Sequence, residues 1–197
     1  DVYKRQNEMI SKEGVKDYIT GICKYKPRDY QIEGVYDALR HNRKLLISPT
    51  ASGKSLMIYS IVRYFVEKGK NTLIVVPTTS LVEQMYKDFA DYGWDVGSFC
   101  HKIYAGKERE TDSQVIITTW QSIYKLPRKY FERFSVVVGD EAHQFKSKSL
   151  ISIMTKLDNA KYRYGFTGTL DGTQTHKWVL EGLFGPVSYT HLRAHET

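Results

Sequence analysis

Residues 48–55 read SPTASGKS, directly behind the apolar run LLIS (45–48) and directly ahead of a segment, 55–68, with apolar residues at three- and four-residue spacing. Strand, small-residue loop and helix in that order make a phosphate cradle, because backbone N–H groups at the helix start point at the anion. Gly53 lets the backbone approach closely, Lys54 is placed to reach β and γ phosphates, and the Ser55 hydroxyl is the expected Mg²⁺ ligand. Thr50, Ala51 and Ser52 complete the expected nucleotide-binding loop. The strict pattern opens on glycine, and here Ser48 stands in that place.

Outward from this loop, short β-rich runs alternate with helical segments. TLIVV (72–76), VIIT (115–118), SVVVG (135–139) and YRYGF (162–166) are too short and too β-branched for buried helices, and HKIYA (101–105) is a weaker strand candidate. Helices are expected over 31–40, 55–68, 80–92, 147–157 and 176–183, with Gly69, Gly93 and Asn159 as stops near three of their ends. This alternation predicts an α/β fold, a mainly parallel β-sheet flanked by helices, whose ligands sit beyond the carboxyl ends of the strands.

The strand SVVVG runs straight into DEAH, 140–143. Adjacent acids would be costly in a core but suit a strand edge that faces a metal and a triphosphate. Asp140 is expected to hold Mg²⁺, and Glu141 to orient and deprotonate an attacking water, so Lys54, Asp140 and Glu141 form the catalytic set. His143 is read as a link from the nucleotide site to a neighbouring motif rather than as a metal ligand.

With 197 residues, 41% hydrophobic and 26% charged, the chain suits one soluble domain. No apolar run approaches the roughly 18 residues of a membrane span, and no membrane partner is expected. Cys23 and Cys100 lack metal-ligand spacing, and a reducing cytoplasm is the expected compartment. The net charge of +7 favours a polyanionic partner without identifying one. DVYKRQ (1–6) and SYTHLRAHET (188–197) resemble translated sequencing-adapter read-through, so the natural protein is expected to continue in both directions.

Together these motifs resemble superfamily 2 helicases, and within them the UvsW-type recombination helicases of T4-like phages, over about residues 25–187. The resemblance implies a RecA-like P-loop NTPase domain, with 7–24 a linker or the end of an N-terminal accessory domain and a second RecA-like domain elsewhere in the polypeptide. RDYQ (28–31) looks like the adenine-reading segment, with Arg28 and Gln31 as base-side contacts. VVPTTSLVEQM (75–85) and TTWQSI (118–123) resemble loops that hold a DNA backbone, so Pro77, Thr78, Thr118, Thr119 and Gln121 are carried over as DNA-binding. GFTGTL (165–170) resembles motif III, in which Thr167 and Thr169, with His143, couple hydrolysis to strand movement.

The implied activity is Mg²⁺-dependent ATP hydrolysis that drives movement on DNA, single-stranded or branched, with an arginine finger supplied by the second domain. The family's remodelling of branched DNA in recombination and repair, in the host cytoplasm if phage-encoded, rests on resemblance alone, and oligomeric state stays open. A duplex translocase of restriction or chromatin-remodelling type shares the motifs. A non-enzymatic nucleic-acid-binding module and a RecA-like ATPase for other substrates are rival readings. LPRKYFERF (126–134) fits either a base-stacking platform or, preferably, an amphipathic helix with its aromatics inward, and Trp94, Trp120 and Trp178 are read as packing groups.

Overall fold

The fold was obtained as a computed structural model, which describes residues 11–48, 51–105, 109, 111–144, 147–168 and 180–188. Strands β1 (Arg43–Ile47), β2 (Thr72–Val76), β3 (Cys100–Ile103), β4 (Val115–Thr119), β5 (Val136–Gly139), β6 (Tyr162–Thr167) and β7 (Val187–Ser188) form one sheet in the order β3-β4-β2-β5-β6-β1-β7. Every pairing is parallel. The helices are α1 (Lys12–Ile22), α2 (Asp29–Leu39), α3 (Ala51–Glu67), α4 (Thr79–Asp91), α5 (Val96–Phe99), α6 (Trp120–Ile123), α7 (Arg128–Phe131) and α8 (Ser147–Lys156), and residues 180–184 are also helical.

Strand periodicity divides the interior into two cores. Leu46, Ile74, Val76, Val115, Ile117, Val136 and Val138 face α1 to α4. Their neighbours Leu45, Leu73, Val75, Ile116 and Val137 face Ile123, Phe131, Ile153 and Phe184 on the opposite side. A sheet covered on both faces needs apolar residues at every strand position, which is why TLIVV has no polar alternation and is buried throughout.

The predicted strands all form, HKIYA starting one residue earlier as β3. The short helices α5 and α6 are additions to the expected elements, and two further elements depart from the expected boundaries. Residues 7–24, assigned from sequence to a linker or the end of another domain, contain α1, N-capped by Ser11, which accepts from Gly14 N–H at 3.0 Å. Val15 and Ile19, one turn apart, enter the first core, each burial contributing about 1.5–3 kcal/mol. The second is β7, whose pairing of Ser188 with Leu46 carries the sheet one residue past the expected boundary at 187.

LPRKYFERF forms only a short helix, with Phe131 and Phe134 fully buried and its arginines tied to the protein. Arg128 pairs with Asp158, and Arg133 donates to the Thr111 and Ser113 carbonyls. The packing reading therefore stands over the stacking platform. Trp94 is likewise core, stacked on Phe99 at 5.2 Å, while Trp178 lies outside the described residues. Among the described residues no helix is long and apolar enough to cross a membrane.

Candidate functional site

In a parallel sheet all carboxyl ends lie on one edge, so Ser48, Pro77, Thr119, Asp140 and Thr167 come to the same side of the molecule. β6 lies between β1 and β5, which sets the loop after β1 and the acids after β5 either side of it. The Ser48 N–H donates to the Thr167 carbonyl at 2.9 Å, fastening the start of the phosphate-loop segment to the end of β6.

Lys54, in the first turn of α3, points into this gap and is only 5% exposed. Its ammonium lies 2.9 Å from Asp140 Oδ1 and also donates to Glu141 Oε1. Asp140 is 3% exposed, and burial raises its pKa above the ordinary carboxylate value against the opposing pull of Lys54 and His143. One ammonium thus faces two carboxylates in a poorly hydrated site, an arrangement short of positive charge. Among the described residues no three His, Cys, Asp or Glu side chains converge to hold a metal. Asp140 and the Ser55 hydroxyl suit a hard cation such as Mg²⁺, which keeps most of its shell as water and phosphate oxygens.

Glu141 adopts φ of +52°, the left-handed region that costs a non-glycine residue about 1–3 kcal/mol. Its N–H donates to Asp140 Oδ1 at 2.9 Å, and its carbonyl accepts from Gln144 N–H at 2.9 Å, closing the 3₁₀ turn Ala142–Gln144. Nothing in the DEAH string announces that conformation. His143 lies with Nδ1 2.7 Å from Thr167 Oγ1 and Nε2 3.5 Å from Glu141, joining the acidic turn to the end of β6. Thr169 lies outside the described residues.

The RDYQ segment grips the phosphate loop. The Gln31 amide donates to the Gly53 carbonyl at 3.2 Å, and its oxygen accepts from the Arg28 N–H at 2.8 Å. A Cβ on Gly53 would lie 2.1 Å from the Tyr30 hydroxyl, so any larger residue there would have to displace the Tyr30 ring. Arg28 is exposed at the same place. Thr50 lies outside the described residues, and Ala51 and Ser52 open α3. Ser55 Oγ meets the Tyr92 hydroxyl at 2.5 Å, a partner with no signal in the P-loop motif.

The residues carried over as DNA-binding also gather, at the ends of the paired strands β2 and β4. Gln121 donates to the Pro77 carbonyl at 3.2 Å, tying the two loops. Thr78 N-caps α4 by accepting from Leu81 N–H at 3.2 Å. Thr118 is fully buried and donates to the Thr119 carbonyl, while Thr119 Oγ1 lies 2.7 Å from Ser122. Thr78 and Gln121 are the exposed members of the group.

Residues 24–172 match the family model for the type III restriction enzyme res subunit. The chain is 34% identical over 174 residues to the ATP-dependent DNA helicase UvsW of phage T4, covering 85% of this chain and 34% of that protein. It is 30% identical over 167 residues to the DNA 3'-5' translocase XPB2 of Sulfurisphaera tokodaii, covering 84% and 36%. It thus spans about a third of these relatives' length. The crystal structure of UvsW from phage T4 superposes with a TM-score of 0.81 at 31% identity, over 91% of this chain and 67% of that one. A Methanococcus jannaschii DEAD box protein, at 17% identity and a TM-score of 0.68 over 88% and 52%, shares the fold, which is RecA-like.

Proposed function

The chain belongs to the type III restriction enzyme res-subunit family, and from that premise we propose that it is the nucleotide-binding motor domain of an ATP-driven DNA helicase. The observation that carries this is Lys54, held from the phosphate-loop helix against Asp140 and Glu141 at the edge where the strands end. An incoming triphosphate supplies the anion this lysine is built to hold, and releases both carboxylates for other work.

Gly53, together with Thr50, Ala51 and Ser52, wraps the phosphates, and Arg28 and Gln31 take the base side. Asp140 and Ser55 hold Mg²⁺, which when bound neutralises charge on the phosphates. Glu141 orients the attacking water and takes its proton. His143, Thr167 and Thr169 carry the change to neighbouring strands. Pro77, Thr78, Thr118, Thr119 and Gln121 shape the DNA-facing loops, mainly by positioning backbone N–H groups. A second RecA-like domain of the same polypeptide supplies the opposing arginine.

The similarity to an ATP-dependent DNA helicase of phage T4 supports DNA as the substrate, and the motif resemblance to UvsW-type recombination helicases favours branched DNA in recombination and repair, in a host cytoplasm. The relative named as a DNA 3'-5' translocase supports movement along DNA, and a duplex translocase of restriction or chromatin-remodelling type is the second reading. Strand-displacement and triplex-displacement assays on the whole protein separate the two.

Titrating the chain with a fluorescent ATP analogue tests the core reading. Lys54→Ala should weaken binding roughly tenfold or more, because a charge-assisted contact is lost. Equal affinity of variant and wild type would refute it.

A further inference from the structure

Ser55 Oγ lies 2.5 Å from the hydroxyl of Tyr92, 37 positions along the chain. Tyr92 belongs to no phosphate-loop or strand-end motif. It is the C-cap of α4, where its own N–H returns to the Asp88 and Ala90 carbonyls. Its ring packs on Tyr59 of α3 at a centroid distance of 5.0 Å and edge-on to Tyr25 at 6.0 Å. Its carbonyl accepts from the Lys24 N–H at 3.0 Å. Ring and backbone are therefore fixed independently of Ser55, and the phenol oxygen is presented to the serine by the rest of the fold.

A serine hydroxyl has one proton to give and two lone pairs. If nothing takes the proton, the side chain turns among its rotamers, and a cation must stop that motion in order to bind. We propose that Tyr92 is a positioning residue for the cation site: by accepting the Ser55 proton it turns the Ser55 oxygen lone pairs toward the Mg²⁺ that accompanies the nucleotide. The assignment rests on the reading of Ser55 as a Mg²⁺ ligand given above. It also joins that hydroxyl to α4, whose other end is capped by Thr78 in the candidate DNA-facing loop.

The test is a titration of the chain with methylanthraniloyl-ADP, in Mg²⁺ and in EDTA, for wild type, Tyr92→Phe, Ser55→Ala and the double variant. Phenylalanine keeps the ring contacts and removes only the hydroxyl, and thermal unfolding confirms that each variant folds. Affinity in Mg²⁺ should fall roughly three- to tenfold in Tyr92→Phe, the range of one hydrogen bond. Affinity in EDTA should not change, and the double variant should bind no more weakly than Ser55→Ala. Unchanged or tighter Mg²⁺-dependent binding in Tyr92→Phe overturns the proposal. So does an equal loss in EDTA, which would mark a packing role, or additive losses in the double variant. Wild-type affinity indifferent to Mg²⁺ overturns the metal reading of Ser55 itself, and the proposal with it.

Discussion

At the ends of β1 and β5 the chain buries charge: Lys54, Asp140 and Glu141 share a space that admits little water. At the ends of β2 and β4, on the same sheet edge, Pro77, Thr78, Thr119 and Gln121 are uncharged, and their polar atoms are spent on the backbone and on the Ser122 hydroxyl. The first region is costly by itself, since two carboxylates share one ammonium, and a bound divalent cation would supply the missing positive charge. The second is satisfied as it stands. What it offers a partner is loop shape and exposed hydroxyl-bearing residues, the form in which a nucleic-acid backbone is held regardless of sequence.

The largest expected effect that would break this contrast is in Asp140→Asn. Burial raises the Asp140 pKa, so the folded state holds its proton more tightly than the unfolded chain does. The stability tied to that proton is complete below the ordinary aspartate pKa and is lost as pH rises through the higher folded value. Without nucleotide, Asp140→Asn should therefore be more stable than wild type at neutral pH, with Lys54 keeping Glu141 as its partner. The gap should close on acidification through the folded pKa. Thermal unfolding of both proteins across pH reads this, and a less stable asparagine variant would show that Asp140 is not under strain.

A smaller effect is expected in the uncharged region. Thr78→Ala removes the α4 cap and should cost about 1 kcal/mol in denaturant unfolding. A gain in stability would place strain in this region as well.

The smallest is Gln121→Ala, which cuts the link to Pro77. Because Gln121 is exposed, the loss should be about 0.5 kcal/mol, seen as a roughly twofold weaker DNA affinity in a salt titration, with nucleotide affinity unchanged. A parallel loss of nucleotide binding would mean that the two regions are not separable.

Legibility in the sequence follows the same division. Lys54, Asp140 and Glu141 stand out in one dimension because phosphate and metal chemistry needs those residue types at a strand end, and β-branched runs mark the strands. Helix α1 does not stand out: Val15 and Ile19 are spaced among charges, and only the groove they fill distinguishes them from a polar linker. Thr118 looks like Thr78 in a hydroxyl-rich string, yet burial turns its hydroxyl inward. Tyr92 carries no signal because its meaning depends on Ser55, an element away.

From the sequence alone follow the strands, their parallel arrangement, the phosphate loop and the acidic turn, because periodicity and motif spacing are properties of neighbouring residues. Only the tertiary structure decides that β5 sits between β2 and β6, that Glu141 is held at positive φ, and that Tyr92 reaches Ser55. Those depend on how crossover connections return the chain to the sheet, and each contact joins residues whose separation in sequence says nothing about their distance in space.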